Sequence, residues 1–365
     1  VTYLISIQQS GVFMKSFANN AKTAVLLGAL IGAMSSTIAY ADLKLNGSGA
    51  SFPAPIYNKW FKDYSKVTGG VRIDYQSKGS GAGIRDFINE TVDFAASDAA
   101  MKDSEIEQVK KGAILLPMTA GEVVLSYNLE GVESLKLPRD VYPEIFMGKI
   151  TNWNDPQIVA ANPGVTLPDK KITVVVRSDS SGTSFVFANH LSAINAEFKE
   201  KVGVAKSPNW PSAASIVKSP KNDGVTATIK QTPGAIGYIE YGFAKLTKMP
   251  TAILQNQKGT FVEAGGETGA AALATTAFPS TNLPGSDVPD LRAWATDPTG
   301  DDAYPIATFT WLLVYKDQDD DKAKALRDLI EYMVTTGQES AESMGYIPLP
   351  ANVVEKVRNA SKMIK

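Results

Sequence analysis

Three short segments of this chain place glycine and hydroxyl side chains directly between a strand-like run and a helix-like run. They are Ser48-Gly49-Ala50-Ser51-Phe52, Gly79-Ser80-Gly81-Ala82-Gly83 and Ser180-Ser181-Gly182-Thr183. A helix N-terminus carries unpaired N–H groups and a partial positive charge. Glycine lets a ligand reach the backbone, and hydroxyls add donors. In open α/β sheets such termini converge at the carboxyl ends of the strands, where anions bind. Each loop alone also reads as an ordinary Ser/Thr helix cap. Three of one kind, in two distant regions of the sequence, make the stronger case for a shared anion. The third loop follows Arg177, whose permanent charge and planar fork suit an oxyanion. Asp179, two residues on, is either a surface ion-pair partner or the group that orients this guanidinium, and both can hold at once.

Asp98, in FAASDAA, does not fit a plain anion site. An ionised carboxylate only accepts hydrogen bonds and repels an anion. It reads either as a helix cap or as an acceptor for a proton carried by the ligand. Phosphate near neutral pH still carries one, because its second ionisation lies at about pKa 6 in phosphoesters; sulfate carries none. In the second reading Asp98 filters against the unprotonated anion.

Other chemistries find little support. The chain of 365 residues has no cysteine and one histidine, which excludes disulfides, thiolate sites and a histidine-rich metal centre within one chain. His190 falls on the helix after the third loop and reads as a helix-face residue with no catalytic partner, so a serine hydrolase or phosphatase lacks its base. Ser215-Ile216-Val217-Lys218 matches S-x-x-K without its companion elements. No glycine loop is followed by G-K-[ST]. The net charge of −2 gives no basic footprint for nucleic acid. The five tryptophans are scattered among strand and helix signals and are expected in the core.

The elements around these loops alternate. LKLNGSG, VRIDYQ, VDFAASD, AILLPM, EVVLSYN, KITVVV and GAIGYIEY read as strands. PAPIYNKWFKDYSKV, opened by Pro53, and GIRDFIN read as helices. Ser104-x-x-Glu107 suggests a capping box. AILQNQKGTFVEA suggests a hairpin about Lys258-Gly259. ATFTWLLVYK reads as a buried strand. Leu326, Leu329, Ile330 and Met333 form a helix stripe closed by Gly337, and VVEKVRNASKM is a last helix. The order predicts an α/β fold with a largely parallel sheet. Either two lobes, with the C-terminal strand and helices returning to the first, or two sequential domains satisfy it.

The N-terminus reads as an export signal. Lys15 and Lys22 precede an apolar run, Thr23 to Met34, too short for a spanning helix of roughly 20 residues. Ala39-Tyr40-Ala41 offers a cleavage site, and Val1 to Phe13 reads as an upstream extension. Removing residues 1–41 removes two lysines and no acids, taking the formal charge from −2 to −4. The mature chain is expected to be soluble and periplasmic.

The stretches GSGASFPAPIYNKWF, GSGAGIRDFINETVDFAASDA, GKITNWNDPQI, RSDSSGTSFVFANHL, NDG, TPGAIGYIEY and DDAYPIATFTWLL closely resemble the periplasmic phosphate-binding proteins of bacterial phosphate ABC transporters. The resemblance runs from about Leu43 to the C-terminus. It implies a two-lobed, type II-like periplasmic binding fold with mixed sheets flanked by helices and a ligand cleft at the hinge. It implies lobes of residues 42–119 plus 306–365 and of residues 120–305, with crossings near Thr119-Ala120-Gly121 and Tyr304-Pro305-Ile306. It implies phosphate contacts at Ser51, Phe52 (through its N–H), Ser80, Asp98, Arg177, Ser181, Gly182 and Thr183, with Asp179 behind Arg177. The implied role is high-affinity capture of inorganic phosphate by a monomer that delivers it to a membrane permease, with no cofactor, metal or catalysis. Another tetrahedral oxyanion, sulfate or molybdate, is the alternative ligand. The chain departs from some members in having Ser51 for threonine, Gly81 for serine and Ser180 for glycine. SAASIVKSP, Ser212 to Pro220, lacks a glycine-rich run found in some members, and Thr251 to Pro298 is the least similar stretch.

Overall fold

The computed structural model describes residues Leu43–Lys365; the export signal and its cleavage site lie outside them. The first half of the chain builds β1 (Leu43–Gly49), α1 (Ala54–Thr68), β2 (Val71–Ser77), α2 (Ser80–Ile88), β3 (Phe94–Ser97), α3 (Asp103–Ile106) and β4 (Ala113–Tyr127). Helix α1 forms because Ile56, Tyr57, Trp60, Phe61 and Tyr64 recur on one face and are all buried, and Gly69, at φ 66°, closes it in the left-handed conformation. Helix α3 is capped by Glu105, whose carboxylate accepts from Lys102 N at 2.9 Å. The expected Ser104–Glu107 box does not form, since both residues lie past the helix start.

The second half adds β5 (Lys136–Leu137), α4 (Val141–Phe146), α5 (Pro156–Ala161), β6 (Thr173–Arg177), α6 (Gly182–Ile194), α7 (Ala196–Lys201), β7 (Ile216–Ser219), α8 (Lys221–Gln231) and β8 (Ala235–Glu240). Then come α9 (Tyr241–Thr247), β9 (Ile253–Gln255), β10 (Phe261–Val262), α10 (Gly266–Ala274), β11 (Ala307–Tyr315), α11 (Asp320–Val334) and α12 (Ala351–Ser361). The hairpin about Lys258-Gly259 is β9–β10, antiparallel. Helix α11 buries Leu326, Leu329, Ile330 and Met333 but ends at Val334. Gly337 is not its cap: it lies in a following 3₁₀ turn, where its carbonyl accepts from Trp60 Nε1 at 2.6 Å and a Cβ would meet that ring at 3.0 Å.

Eight strands form one mixed sheet in the order β2-β1-β3-β11-β4-β8-β6-β7. The pairs β1–β2, β1–β3, β6–β7 and β6–β8 are parallel; β11 and β4 run antiparallel to their neighbours. The sheet is therefore mixed rather than largely parallel. AILLPM and EVVLSYN, read as two strands, are one fifteen-residue strand, buried throughout. Pro117 sits beside a bulge: it pairs with Trp311, Thr119 pairs with Thr310, and Met118 between them is the extra residue, so the ladder is already interrupted next to the residue that cannot donate. β4 pairs with β11 as far as Glu122, then with β8 from Val123 on. That switch divides the sheet into two half-sheets, one holding β1, β2, β3 and β11, the other β6, β7 and β8. β11 lies between β3 and β4, and α11 packs on α1 and β1, so the chain's end returns to its first half.

Trp60, Trp153, Trp210 and Trp311 are buried, whereas Trp294 is 38% exposed and departs from the expected core placement. No helix among the described residues is long and apolar enough to cross a membrane.

Candidate anion site

The carboxyl ends of β1, β2 and β6 turn into the three glycine-hydroxyl loops, β3 ends one residue before Asp98, and the sheet order brings these segments together. All eight expected contact residues are buried: Ser51, Phe52, Ser80, Asp98, Arg177, Ser181, Gly182 and Thr183. The two half-sheets meet here directly. Ser80 Oγ accepts from Gly182 N at 3.1 Å and from Asp98 N at 3.2 Å. Gly81 N donates to Ser180 O at 3.0 Å. A Cβ on Gly182 would strike Ser80 Oγ and lie 2.7 Å from Asp98 Oδ2, so only glycine permits this approach.

Arg177 is the last residue of β6, and its side chain is 1% exposed. Asp179 holds it in a bidentate clamp, Nε–Oδ1 2.8 Å and Nη2–Oδ2 2.6 Å. This leaves Nη1 directed at Thr183 Oγ1, 3.3 Å away. Burial pushes the Asp179 carboxyl up, but the Arg177 contacts outweigh it and hold the group below its ordinary range. Ser181 is the N-cap of α6: its Oγ accepts from Ser184 N at 3.0 Å, which leaves its proton free to donate. The cap and ligand readings of this loop are thus compatible. The Phe52 ring is buried against Tyr346, whose hydroxyl donates to Phe52 O at 2.7 Å. The ring and carbonyl are engaged in the core, which leaves the N–H of Phe52 as its donor to an anion.

Asp98 is the one carboxylate among these donors. Thr310 Oγ1 donates to its Oδ1 at 3.0 Å, and Thr183 Oγ1 lies 3.5 Å from its Oδ2. Burial pushes its pKa up to about 7, against the lowering pull of Thr310 and of the Arg177 charge. Near neutrality Asp98 is therefore divided between its two protonation states.

The departures at residues 81 and 180 prove to be neighbours. A Cβ on Gly81 would collide with Ser180 Oγ and lie 2.5 Å from Ser180 Cβ. Glycine at 81 makes room for serine at 180.

Sequence reasoning missed several residues at this point. Asn222, in the NDG stretch, is fully buried at the start of α8 and touches Ser51 and Thr183. This adds a fourth helix N-terminus, whose signal was the Ser219-Pro220 step before an Asn-Asp pair. Thr310, Tyr238 and Lys206 had no local signal, because each reaches the site from elsewhere in the chain: Tyr238 Oη accepts from Arg177 N at 3.0 Å, and Lys206 O accepts from Ser181 N at 2.7 Å. His190 lies away from these groups, buried between Tyr142 Oη (2.7 Å) and Thr296 O (3.0 Å). Burial lowers its pKa to about 4, so it is a neutral structural residue.

A family model described as the PBP superfamily domain matches residues 34–336. A phosphate-binding protein PstS of Xylella fastidiosa is 39% identical over 319 residues, covering 87% of this chain and 84% of its own length. A phosphate-binding protein PstS of Methanocaldococcus jannaschii is 38% identical over 333 residues, covering 87% and 85%. The solved structure of a high-affinity periplasmic phosphate-binding protein bound with phosphate shares the fold at TM-score 0.71 and 22% identity, over 87% of this chain and 93% of that one. With its loops, its mixed sheet and these relatives, the chain belongs to the PstS family of phosphate-binding proteins, within the PBP superfamily.

Proposed function

We propose that this chain binds inorganic phosphate in the periplasm and delivers it, chemically unchanged, to the permease of an ABC transporter. The observation that carries this reading is the meeting of four helix N-termini, one clamped guanidinium and the four hydroxyls of Ser51, Ser80, Ser181 and Thr183 around the buried carboxylate of Asp98. Ser51, Phe52 N–H, Ser80 and Asp98 would contact the anion from the β1–β3 side. Arg177, Ser181, Gly182 N–H and Thr183 would contact it from the β6 side. The two lobes are taken as residues 42–119 plus 306–365 and residues 120–305, with β4 and the start of β11 as crossings. Closure around phosphate then exchanges the direct contacts between the lobes for contacts through the ligand, which is how differential contacts drive a hinge. Residues 1–41 serve as the export leader, and the protein acts as a monomer without catalysis.

Phosphate is favoured over sulfate because Asp98 is placed to accept a proton from the anion. Titration calorimetry at pH 8 should find phosphate binding and sulfate not. Arg177→Ala should lose most of the affinity, at least about 100-fold for a charge-assisted contact, and Thr183→Ala less. Lowering the pH below about 7 protonates Asp98, so sulfate should begin to compete there, and Asp98→Asn should make sulfate binding independent of pH. Equal binding of sulfate and phosphate by the wild type at pH 8 defeats the proton-filter reading.

A further inference from the structure

A hydroxyl has one proton and two lone pairs. If the protein fills both lone pairs with N–H donors, the proton must point elsewhere. Ser80 Oγ is in this state, between Asp98 N and Gly182 N. Ser51 Oγ accepts from both Asn222 N (3.1 Å) and Asn222 Nδ2 (3.0 Å). Thr183 Oγ1 accepts from Arg177 Nη1 (3.3 Å) and from Asn222 Nδ2 (3.2 Å). Asn222 thus supplies three of the four N–H groups that occupy these last two hydroxyls, two from its side-chain amide and one from its backbone.

The amide cannot turn round. Asn222 Oδ1 accepts from Glu240 N, in β8, at 3.0 Å, and a flipped amide would set an NH₂ against that N–H. The backbone is held as firmly. Lys221, just before it, takes a left-handed φ of 58°, a conformation a side chain disfavours, with its N–H donating to Asp179 Oδ1 at 2.8 Å. Thr226 Oγ1 donates to Asn222 O at 2.8 Å.

We propose that Asn222 is a positioning residue that leaves the Ser51 and Thr183 hydroxyls only their protons to offer, Ser51 to the anion and Thr183 to the anion or to Asp98 Oδ2, 3.5 Å away. This rests on the phosphate-binding reading above. It makes the site donor-only everywhere except Asp98, so a ligand proton has one place to go. Asn222 touches groups from both half-sheets, so it also sets this polarity only when they meet.

The test is a double-mutant cycle read by phosphate titration at pH 8, with thermal melting to check folding. Asn222→Ala should weaken phosphate binding roughly 10- to 100-fold, the range of a charge-assisted hydrogen bond. In a Ser51→Ala/Thr183→Val background, the same change should cost less than about threefold, because the residue acts through those hydroxyls. Asn222→Asp keeps the shape and reverses the polarity, since a carboxylate draws the hydroxyl protons inward. It should bind more weakly than Asn222→Ala at pH 8 and recover as the pH falls, when the acid can donate again. Charge repulsion alone would weaken Asn222→Asp equally in the wild-type and Ser51→Ala/Thr183→Val backgrounds, whereas the polarity effect shrinks when those hydroxyls are gone. Equal cost of Asn222→Ala in both backgrounds, or an Asn222→Asp variant that binds like wild type at pH 8, overturns the inference. A wild type that binds no phosphate overturns the phosphate reading instead, which is a separate outcome.

Discussion

Gly81 and Ser180 face each other where the two half-sheets touch, and the pair shows how a site tolerates change at single residues. Serine at 81 would place its Cβ 2.5 Å from Ser180 Cβ, a distance no rotamer relieves. The single substitution Gly81→Ser should therefore hold the half-sheets apart and weaken phosphate binding about tenfold or more. Adding Ser180→Gly should restore affinity to within about threefold of wild type, a coupling expected only of residues in contact. Calorimetry of the two single variants and the double variant checks this; additive effects would show that the two positions are independent. The same scale explains why Asp98 was hard to assign. Its type suggests repulsion of an anion, and only burial, with Thr310 and Arg177 beside it, moves it to about pKa 7 where its proton matters.

Helices and strands decide how the site opens. Helix α3 carries Glu105, whose one oxygen caps the helix on Lys102 N and whose other reaches Lys206 Nζ at 2.8 Å, beyond β6 in the second half of the chain. Lys206 in turn accepts from Ser181 N, at the tip of α6. A hollow of about 390 Å³ lies beside this pair, lined by Met101, Phe185, Arg292 and Trp294 among others. The pair is only partly exposed, 17% and 21% for its two side chains, so it is screened less than a surface pair. Glu105→Gln should speed phosphate release about two- to tenfold, the reach of an ion pair contributing about 1 kcal/mol. Stopped-flow release from the two proteins checks it, and unchanged release at low salt would assign the pair no part in holding the site closed.

At the scale of the whole molecule, buried carboxyls make stability depend on pH. Burial raises Asp98 to about 7 and Glu122 to about 8, and raises Glu240 as well. Unfolded carboxyls titrate near 4. The folded chain therefore holds protons that the unfolded chain has released, and stability falls as pH rises through the folded values. His190 opposes this lower down: neutral in the fold to about 4, it costs stability as pH falls from about 6.5. Carboxyls held low, such as Asp179 and Glu197, act below about pH 4. The window from about 6.5 to 8 thus isolates the buried acids. The melting temperature of the ligand-free protein should drop across it, and Glu122→Gln should flatten the drop. A melting temperature that rises between pH 6.5 and 8 would contradict the assignment.

Much of this protein was legible in its sequence because the information was local. Glycine and hydroxyls ahead of helix starts, the apolar stripes of α1 and α11, and the alternation of strands and helices are set by backbone geometry and side-chain period within a few residues. The likeness to phosphate-binding proteins rests on those same segments. What needed the tertiary structure was contact between segments far apart in the chain. The continuity of β4 through Gly121, the partner switch at Glu122 and Val123, the Gly81–Ser180 match and the placing of Asn222, Thr310 and Lys206 all depend on which strands become neighbours. Hydrogen bonding and charge act over a few ångströms, so no residue declares its partner until the sheet order has brought that partner near.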